Sequence, residues 1–255
     1  MWAEGRIALV SGATSGIGAA VARRIHAGGG KVVAVGRRRE RLEALVCELG
    51  RERISTLTLD LRDTAAIPDA LSRRPASFKD IDIVFNNAGL ALGLCSAQDA
   101  DLQAWNDMIA TNVSGLVAVT HALLPDMVAR GSGDIVNMSS VAATYPYPGG
   151  NVYGATKAFV RQFSLNLRAD LLGTGLRVTS IEPGMCETEF SLVRFGGDAA
   201  GAGKVYAGMT PLSAEDVAAS VEFVLRQARH VNINTIELMP TQQTFSPFTV
   251  DRNLI

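Results

Sequence analysis

The sequence predicts a doubly wound α/β fold built on a seven-stranded parallel sheet with helices on both faces. Three observations carry this. Short β-branched runs alternate with longer amphipathic segments, a glycine-rich turn follows the first run, and no linker-like or low-complexity stretch divides the chain. In chain order, "IALVS" at 7–11 opens the sheet, and a helix at 16–27 follows the glycines. Strand 31–35, "KVVAV", precedes a helix at 40–49, and strand 54–59 precedes one at 63–73. Strand 81–85 leads to a long amphipathic segment at 101–130, and strand 134–138 leads to a helix at 151–172. Strand 177–181 comes before a helix at 213–227, opened by the capping-box-like "SAED", and strand 233–238 closes the sheet. The whole of 1–255 reads as one domain. Two regions stand outside the alternation: the glycine-rich segment 188–209 and the tail 239–255. Long irregular stretches in a compact domain are usually functional or flexible.

Composition excludes several function classes. With 255 residues and 47% apolar content the chain can bury a full core. Lys and Arg number 24 against 25 acids, so nothing global favours nucleic acid or anionic lipid. Cys47, Cys95 and Cys186 are scattered and odd in number, which argues against a disulfide framework and fits a reducing compartment. His26, His121 and His230 are isolated, so no metal site is expected. The amino terminus holds only a four-residue apolar run, and no window reaches the ~20 apolar residues of a bilayer span. A soluble, cytoplasmic protein is expected, with neither membrane nor nucleic acid as partner.

In "SGATSGIG", Gly12, Gly16 and Gly18 stand at a strand-to-helix turn, where backbone N–H groups can approach a pyrophosphate at a helix N-terminus. Thr14, Ser15 and Ile17 belong to the same surface. A tight turn without a ligand would look similar, but the first βα turn of a doubly wound sheet is where dinucleotides bind. An acid usually ends the second strand of such folds and accepts hydrogen bonds from the ribose hydroxyls. Here Gly36 ends it, followed by Arg37, Arg38 and Arg39. Three cations at a helix start oppose the helix dipole, so they call for a ligand, and guanidinium groups match phosphate geometry. Arg37 and then Arg38 are therefore expected to hold the 2′-phosphate of NADP(H), leaving Arg39 to solvent. The alternative is a charged helix start that pairs with acids such as Glu40.

Tyr153 and Lys157 lie four residues apart, on one face of a helix, and a nearby ammonium is expected to lower the phenol's pKa. Such a pair also occurs in ordinary amphipathic helices. Ser139 and Ser140 end the strand just before it and can place a hydroxyl beside the phenol.

Six ordered motifs, "SGATSGIG", "NNAG", "TNVSG", the serine, "YGATK" and "PGMCET", make the chain resemble the classical short-chain dehydrogenase/reductase family over essentially its whole length. The resemblance implies a Rossmann-type fold, a homotetramer assembled through the helices at 101–130 and 151–172, and a catalytic set carried residue by residue. In that set Ser140 polarises the substrate, Tyr153 is the acid/base, Lys157 lowers its pKa and holds the nicotinamide ribose, and Asn112 anchors a proton-relay water. Asn87, Pro183, Gly184 and Thr188 match cofactor contacts, and Asp60 with Leu61 matches the adenine side. One position departs from the pattern: Ser15, where some NADP-dependent relatives carry a basic residue, is neutral.

Within the family, "RVTSIEPG" and "HVNINTIELMP" are similar to NADP-dependent 3-hydroxy acid dehydrogenases, and "ETEFSLVRFGGD" also to sulfoacetaldehyde reductases. The expected activity is hydride transfer between NADP(H) and a small 3-hydroxy acid of the serine or 3-hydroxypropionate type, yielding its 3-oxo acid or semialdehyde. Sulfoacetaldehyde reduction is the alternative, and a non-catalytic NADPH-sensing protein a remoter one. A small acid needs a cation near the nicotinamide, and Arg194 is the candidate, with Tyr147 and Gln243 as further hydrogen-bond donors. Alternatively Arg194 pairs with a surface acid such as Asp198 or Glu189.

Overall fold

The computed structural model describes residues 1–245. Seven strands, β1 (Ile7–Ser11), β2 (Lys31–Gly36), β3 (Ile54–Thr58), β4 (Ile83–Asn86), β5 (Gly133–Met138), β6 (Leu176–Pro183) and β7 (Thr235–Leu238), form one sheet. Their order is β3-β2-β1-β4-β5-β6-β7 and every pairing is parallel. The order reverses beside β1, so a crevice opens above the carboxyl ends of β1 and β4, the position at which such sheets bind ligands.

Nine α-helices accompany the sheet among the described residues: α1 (Gly16–Ala27), α2 (Arg39–Leu49), α3 (Ala66–Ser72), α4 (Leu102–Ile109), α5 (Leu116–Arg130), α6 (Asn151–Asp170), α7 (Glu189–Arg194), α8 (Ala199–Tyr206) and α9 (Ala214–Leu225). The two-residue period of the strands divides their side chains between two cores. Val32 and Ala34 pack with Ile25 of α1, Leu42 of α2 and Val221 of α9. Val33 and Val35 face the other way, toward Ile67 of α3, Leu123 of α5 and Leu167 of α6.

Differences from the sequence expectation have local causes. Helix α3 begins later because the Asp63 carboxylate accepts from Ala66 N at 3.2 Å, making a turn of the residues before it. Strand β6 runs two residues further, ending on Pro183, which needs no strand partner for its missing N–H. Segment 188–209 is not irregular: Thr188 and Asp198 cap α7 and α8, accepting from Phe190 N and Ala200 N. Gly196 and Gly197, both at positive φ, separate the two helices. The tail beyond β7 docks against the residues that flank this segment. Gln242 Oε1 accepts from Thr210 N and Gln243 Oε1 from Met185 N. The remainder of the tail, 246–255, lies outside the described residues.

The expectation that no segment could span a bilayer needs correction. Leu102–Arg130, 29 residues long, is long and apolar enough by length and composition. Polar residues punctuate the segment, so no contiguous apolar run marks it. Its buried side chains, among them Leu116, Val119, Leu123 and Met127, pack on the chain's own core, which gives the apolar composition a structural role. Within this segment α4 and α5 are joined by a π-helical turn, Ala110–Gly115. Such turns often mark functional positions. A Cβ at Gly115 would sit 2.8 Å from Leu61 Cβ, so the close approach there requires glycine.

At the opposite end of the sheet, Asp134 is 1% exposed and serves as the hub of a buried ion cluster. It accepts from Arg177 Nε at 2.5 Å and from Arg229 at 3.4 Å, and it also takes Arg6. Arg177 in turn donates to the carbonyls of Leu225, Gln227, Ala228 and Val231 at and beyond the end of α9. Removing the carboxylate leaves a buried guanidinium uncompensated. Asp134→Ala is expected to lower stability by about 3–5 kcal/mol in equilibrium urea unfolding. A loss below about 1 kcal/mol would remove Asp134 from this role.

Candidate active site

A cavity of about 670 Å³ opens above the carboxyl ends of β1, β2, β4, β5 and β6. All the site residues expected from the sequence line it except Gly18, Asn112 and Gln243. Gly18 lies just behind the wall: a Cβ there would run into the Gly12 carbonyl, so α1 can start this close to the turn only with glycine. Gly12 and Gly16 have φ of +68° and +52°, a conformation that L side chains rarely adopt. Asn87 pins the turn from the side, its Nδ2 donating to Ser11 O at 3.0 Å.

At the end of β2 the three arginines have separate surroundings. Arg37 is exposed at the cavity edge near Asp60, whose carboxylate is held below its usual range chiefly by hydrogen bonds from Arg62. Arg38 folds back over the glycine turn, donating to Thr14 Oγ1 at 2.9 Å and Ser15 Oγ at 2.7 Å. Its guanidinium therefore lies against the position that is neutral in this chain. It also pairs with Glu189 at 2.8 Å, so Arg38 is largely committed to the protein rather than open to a phosphate. Arg39 points to solvent and pairs with Glu43. A Cβ at Gly36 would lie 2.5 Å from Thr14 Cγ2, which leaves no room for an acid at the end of this strand.

The end of β5 and the start of α6 build the other half. Ser139 is a structural residue, its hydroxyl donating to the Lys157 carbonyl at 2.8 Å. Ser140 faces the cavity, accepts from Ala142 N at 3.1 Å and shares a hydrogen bond with the Tyr153 phenol. Tyr153 is buried, with the Phe190 ring at 5.6 Å and the Lys157 ammonium 5.8 Å from its own ring centre. Asn112, in the π turn, donates from Nδ2 to Leu90 O and Thr156 Oγ1, and accepts from Leu90 N at 2.8 Å. Both its N–H groups are spent, and Oδ1 keeps one lone pair. Oδ1 and Lys157 Nζ flank the same point above Gly89, where a Cβ would lie 3.2 and 3.3 Å from them.

The electrostatics correct one expectation. Burial pushes the Tyr153 phenol up from its ordinary value, Tyr147 adds to this, and the Ser140 hydrogen bond and Arg194 oppose it. The net direction is therefore upward, even with Lys157 nearby. Its ammonium donates to Met138 O at 2.8 Å, and burial depresses its own pKa to about 8.

Arg194 reaches the cavity rather than a surface acid. Nη2 donates to the Tyr147 hydroxyl at 2.8 Å and Nε to Gly93 O at 3.1 Å, with its Cζ 5.6 Å from the Tyr153 ring centre. Glu189 and Asp198, the alternative partners, are engaged elsewhere. Gln243 supports the 184–185 turn and does not line the cavity. The sequence reading missed Glu189, Phe190 and Tyr206, all in the lining. The one available signal is the cap-like "TEF" at the start of a glycine-rich segment.

The depressed Lys157 has a consequence for stability. Between pH 8 and about 10.5 the unfolded chain keeps a proton that the folded chain has shed, so stability rises with pH across that window. Tyr153 acts with opposite sign and only above pH 10, where the folded phenol stays protonated. Lys157→Met is expected to flatten the rise, which amounts to at most about 1.4 kcal/mol per pH unit. Urea unfolding of both proteins at pH 7.5 and 9.5 checks it, and identical pH slopes would contradict a depressed lysine.

A family model described as short chain dehydrogenase matches residues 6–194. Serine 3-dehydrogenase of Agrobacterium fabrum is 53% identical over 244 residues, 96% of this chain and 97% of that protein. NADP-dependent 3-hydroxy acid dehydrogenase YdfG of Salmonella typhi is 54% identical, covering 97% of this chain and 100% of that protein. Sulfoacetaldehyde reductase 2 of Chromohalobacter salexigens is 51% identical, covering 97% and 99%. A solved structure of the closed form of serine dehydrogenase complexed with NADP+ superposes with a TM-score of 0.93 at 52% identity, covering 97% of this chain and all of that one. A parallel sheet with its crevice at the reversal point, a Ser-Tyr-Lys cluster beneath it and relatives matched end to end lead to one assignment: the chain belongs to the short-chain dehydrogenase family.

Proposed function

We propose that this enzyme uses NADP(H) to interconvert a small 3-hydroxy acid, of the serine or 3-hydroxypropionate type, with its 3-oxo acid or semialdehyde. The observation that carries this reading is the Arg194 guanidinium, held beside the Tyr153 ring by neutral partners. A cation fixed next to a buried acid/base suits a substrate whose carboxylate lies one or two carbons from the reacting carbon. The printed names of relatives at 53–54% identity point the same way.

The cavity fits a phosphorylated dinucleotide. Its glycine turn at positive φ admits a pyrophosphate to backbone N–H groups, and the side-chain-free end of β2 sits beside exposed Arg37. Thr188, Pro183 and Gly184 line the opposite wall. When bound, the nicotinamide supplies or accepts the hydride. In reduction, the phenol that burial keeps protonated gives its proton to the carbonyl oxygen as that oxygen becomes an alkoxide. Ser140 hydrogen-bonds the same oxygen and polarises it. Lys157 places positive charge beneath the phenolate left behind, and Asn112 fixes the 89–90 loop and α6 around it. In oxidation Tyr153 accepts the hydroxyl proton instead.

The same cation would accept a sulfonate, and a relative at 51% identity is named a sulfoacetaldehyde reductase, which keeps that substrate as the second reading. Assembly as a homotetramer also belongs to the proposal. Leu102 and Ile109 of α4 and Phe159 and Leu165 of α6 expose large apolar side chains on the helices through which the family assembles.

Two experiments test the reading. Arg37→Ala should weaken NADPH binding by about 1.5–3 kcal/mol while leaving NADH binding nearly unchanged. Equal losses in a fluorescence titration would remove Arg37 from the phosphate site. For the substrate, kcat/KM would be compared on malonate semialdehyde, sulfoacetaldehyde and a neutral aldehyde of similar size. Arg194→Ala should lose about 10- to 100-fold on the acids only, whereas Tyr153→Phe should lose at least about 100-fold on all three. A wild-type preference for the neutral aldehyde would overturn the acid assignment.

A further inference from the structure

Helix α7 is fastened at both ends, to opposite sides of the cavity. Arg194 ties its carboxyl end to Tyr147 and Gly93. At its amino end Glu189 bridges two arginines, Oε2 accepting from Arg38 at 2.8 Å and Oε1 from Arg41 at 2.5 Å. Arg38 is itself laid over Thr14 and Ser15 of the glycine turn. The turn also meets the residue before Glu189: a Cβ at Gly16 would lie 3.2 Å from Thr188 Cβ. These contacts close a ring running from the glycine turn through Arg38 to Glu189, then through Thr188 back to the turn. All its members line the cavity.

An isolated exposed ion pair contributes little. This one differs in two respects. One carboxylate serves two guanidinium groups that arrive from the end of β2 and the start of α2, and the side chain is only 36% exposed. Hydrogen bonds from Arg38, working against burial and joined by those from Arg41, hold Glu189 below the usual carboxylate range, so it is ionised at neutral pH. Arg38 spends Nε and Nη2 on Thr14 and Ser15 and Nη1 on Glu189, while Arg37 remains exposed beside Asp60.

We propose that Glu189 is a positioning residue for cofactor retention: it clasps α7 to the Arg38–Arg41 lip, and a dinucleotide of either kind leaves only when this clasp opens. Choice between NADP(H) and NAD(H) falls to Arg37, outside the ring. The inference rests on the proposed dinucleotide site and adds to it a residue that governs release rather than selection.

The test uses Glu189→Gln, which keeps size and removes charge, and Glu189→Asp, which keeps charge. Dissociation rates of NADPH and of NADH are measured by stopped-flow fluorescence, and hydrogen exchange is followed in the cofactor-free protein. For Glu189→Gln, release of both dinucleotides should accelerate by a common factor of roughly three to ten, with Glu189→Asp nearer to wild type. In the cofactor-free protein, amides of α7 should lose protection in Glu189→Gln while those of β1 and β4 keep theirs. Unchanged release from a variant that binds normally overturns the clasp alone. Faster release of NADPH only also overturns it, because Glu189 would then be orienting Arg38 toward the phosphate. If wild type binds neither dinucleotide, the site reading and the clasp fall together.

Discussion

Burying the Lys157 ammonium is the constraint on which the catalytic half of the cavity depends. The residue is 4% exposed, and its ammonium donates to the Met138 carbonyl, a dipole that solvates the charge without cancelling it. Its positive field is therefore available to its neighbours, at the cost of a pKa depressed to about 8. The end of β5 holds this residue twice. The Met138 carbonyl accepts from the ammonium, and the Ser139 hydroxyl donates to the lysine's own carbonyl. Helix α6 is thereby registered against β5 at one residue, and Tyr153, one turn earlier, comes to rest where Ser140 can share its phenol proton.

The π turn completes the same arrangement from the other side. An irregular turn in the middle of a long helix gives up regular hydrogen bonds, so it needs a compensating gain. Here it brings Asn112 to the backbone of Leu90 and to Thr156 Oγ1, and Thr156 in turn donates to the Tyr153 carbonyl. Tyr153 is thus fixed through its own main chain, through its hydroxyl and through Phe190 against its ring. A proton carrier held in this way does not need to reorganise as charge develops.

What could be read from the sequence was what local spacing determines. Four residues on a helix put Tyr153 and Lys157 on one face, and a strand followed by Gly12, Gly16 and Gly18 gives the turn wherever the rest of the chain goes. Positions that depend on distant parts of the chain could not be read. Glu189 lies 151 residues from Arg38, and no periodicity announces that pairing, so Arg38 looked available for a phosphate. The net direction of the Tyr153 shift was not legible for the same reason. An adjacent lysine is visible in the sequence, but the burial that outweighs it comes from the packing around Leu90, Ala142 and Phe190. Helices α7 and α8 were not legible because the glycines between them and within α8 break the apolar pattern that would follow the Thr188 and Asp198 caps.

The acids near Arg194 explain why its charge persists in the cavity. Glu189 sits five residues earlier on the same short helix, but both its oxygens are taken by Arg38 and Arg41. Asp198, four residues later, caps α8 through Ala200 N. The hydrogen bonds of Arg194 go instead to a hydroxyl and a carbonyl, which orient the guanidinium without neutralising it. Two acids close in sequence thus have partners of their own, and a cation with neutral partners lies over the buried phenol. An anionic substrate would encounter a preorganised positive group with no internal ion pair to break first, so its binding energy could go to orienting the reacting carbon beside Tyr153. The clasp at one end of α7 and the cation at the other lie five residues apart on the helix and so face different sides of the cavity, which lets Glu189 serve Arg38 and Arg41 while Arg194 keeps neutral partners.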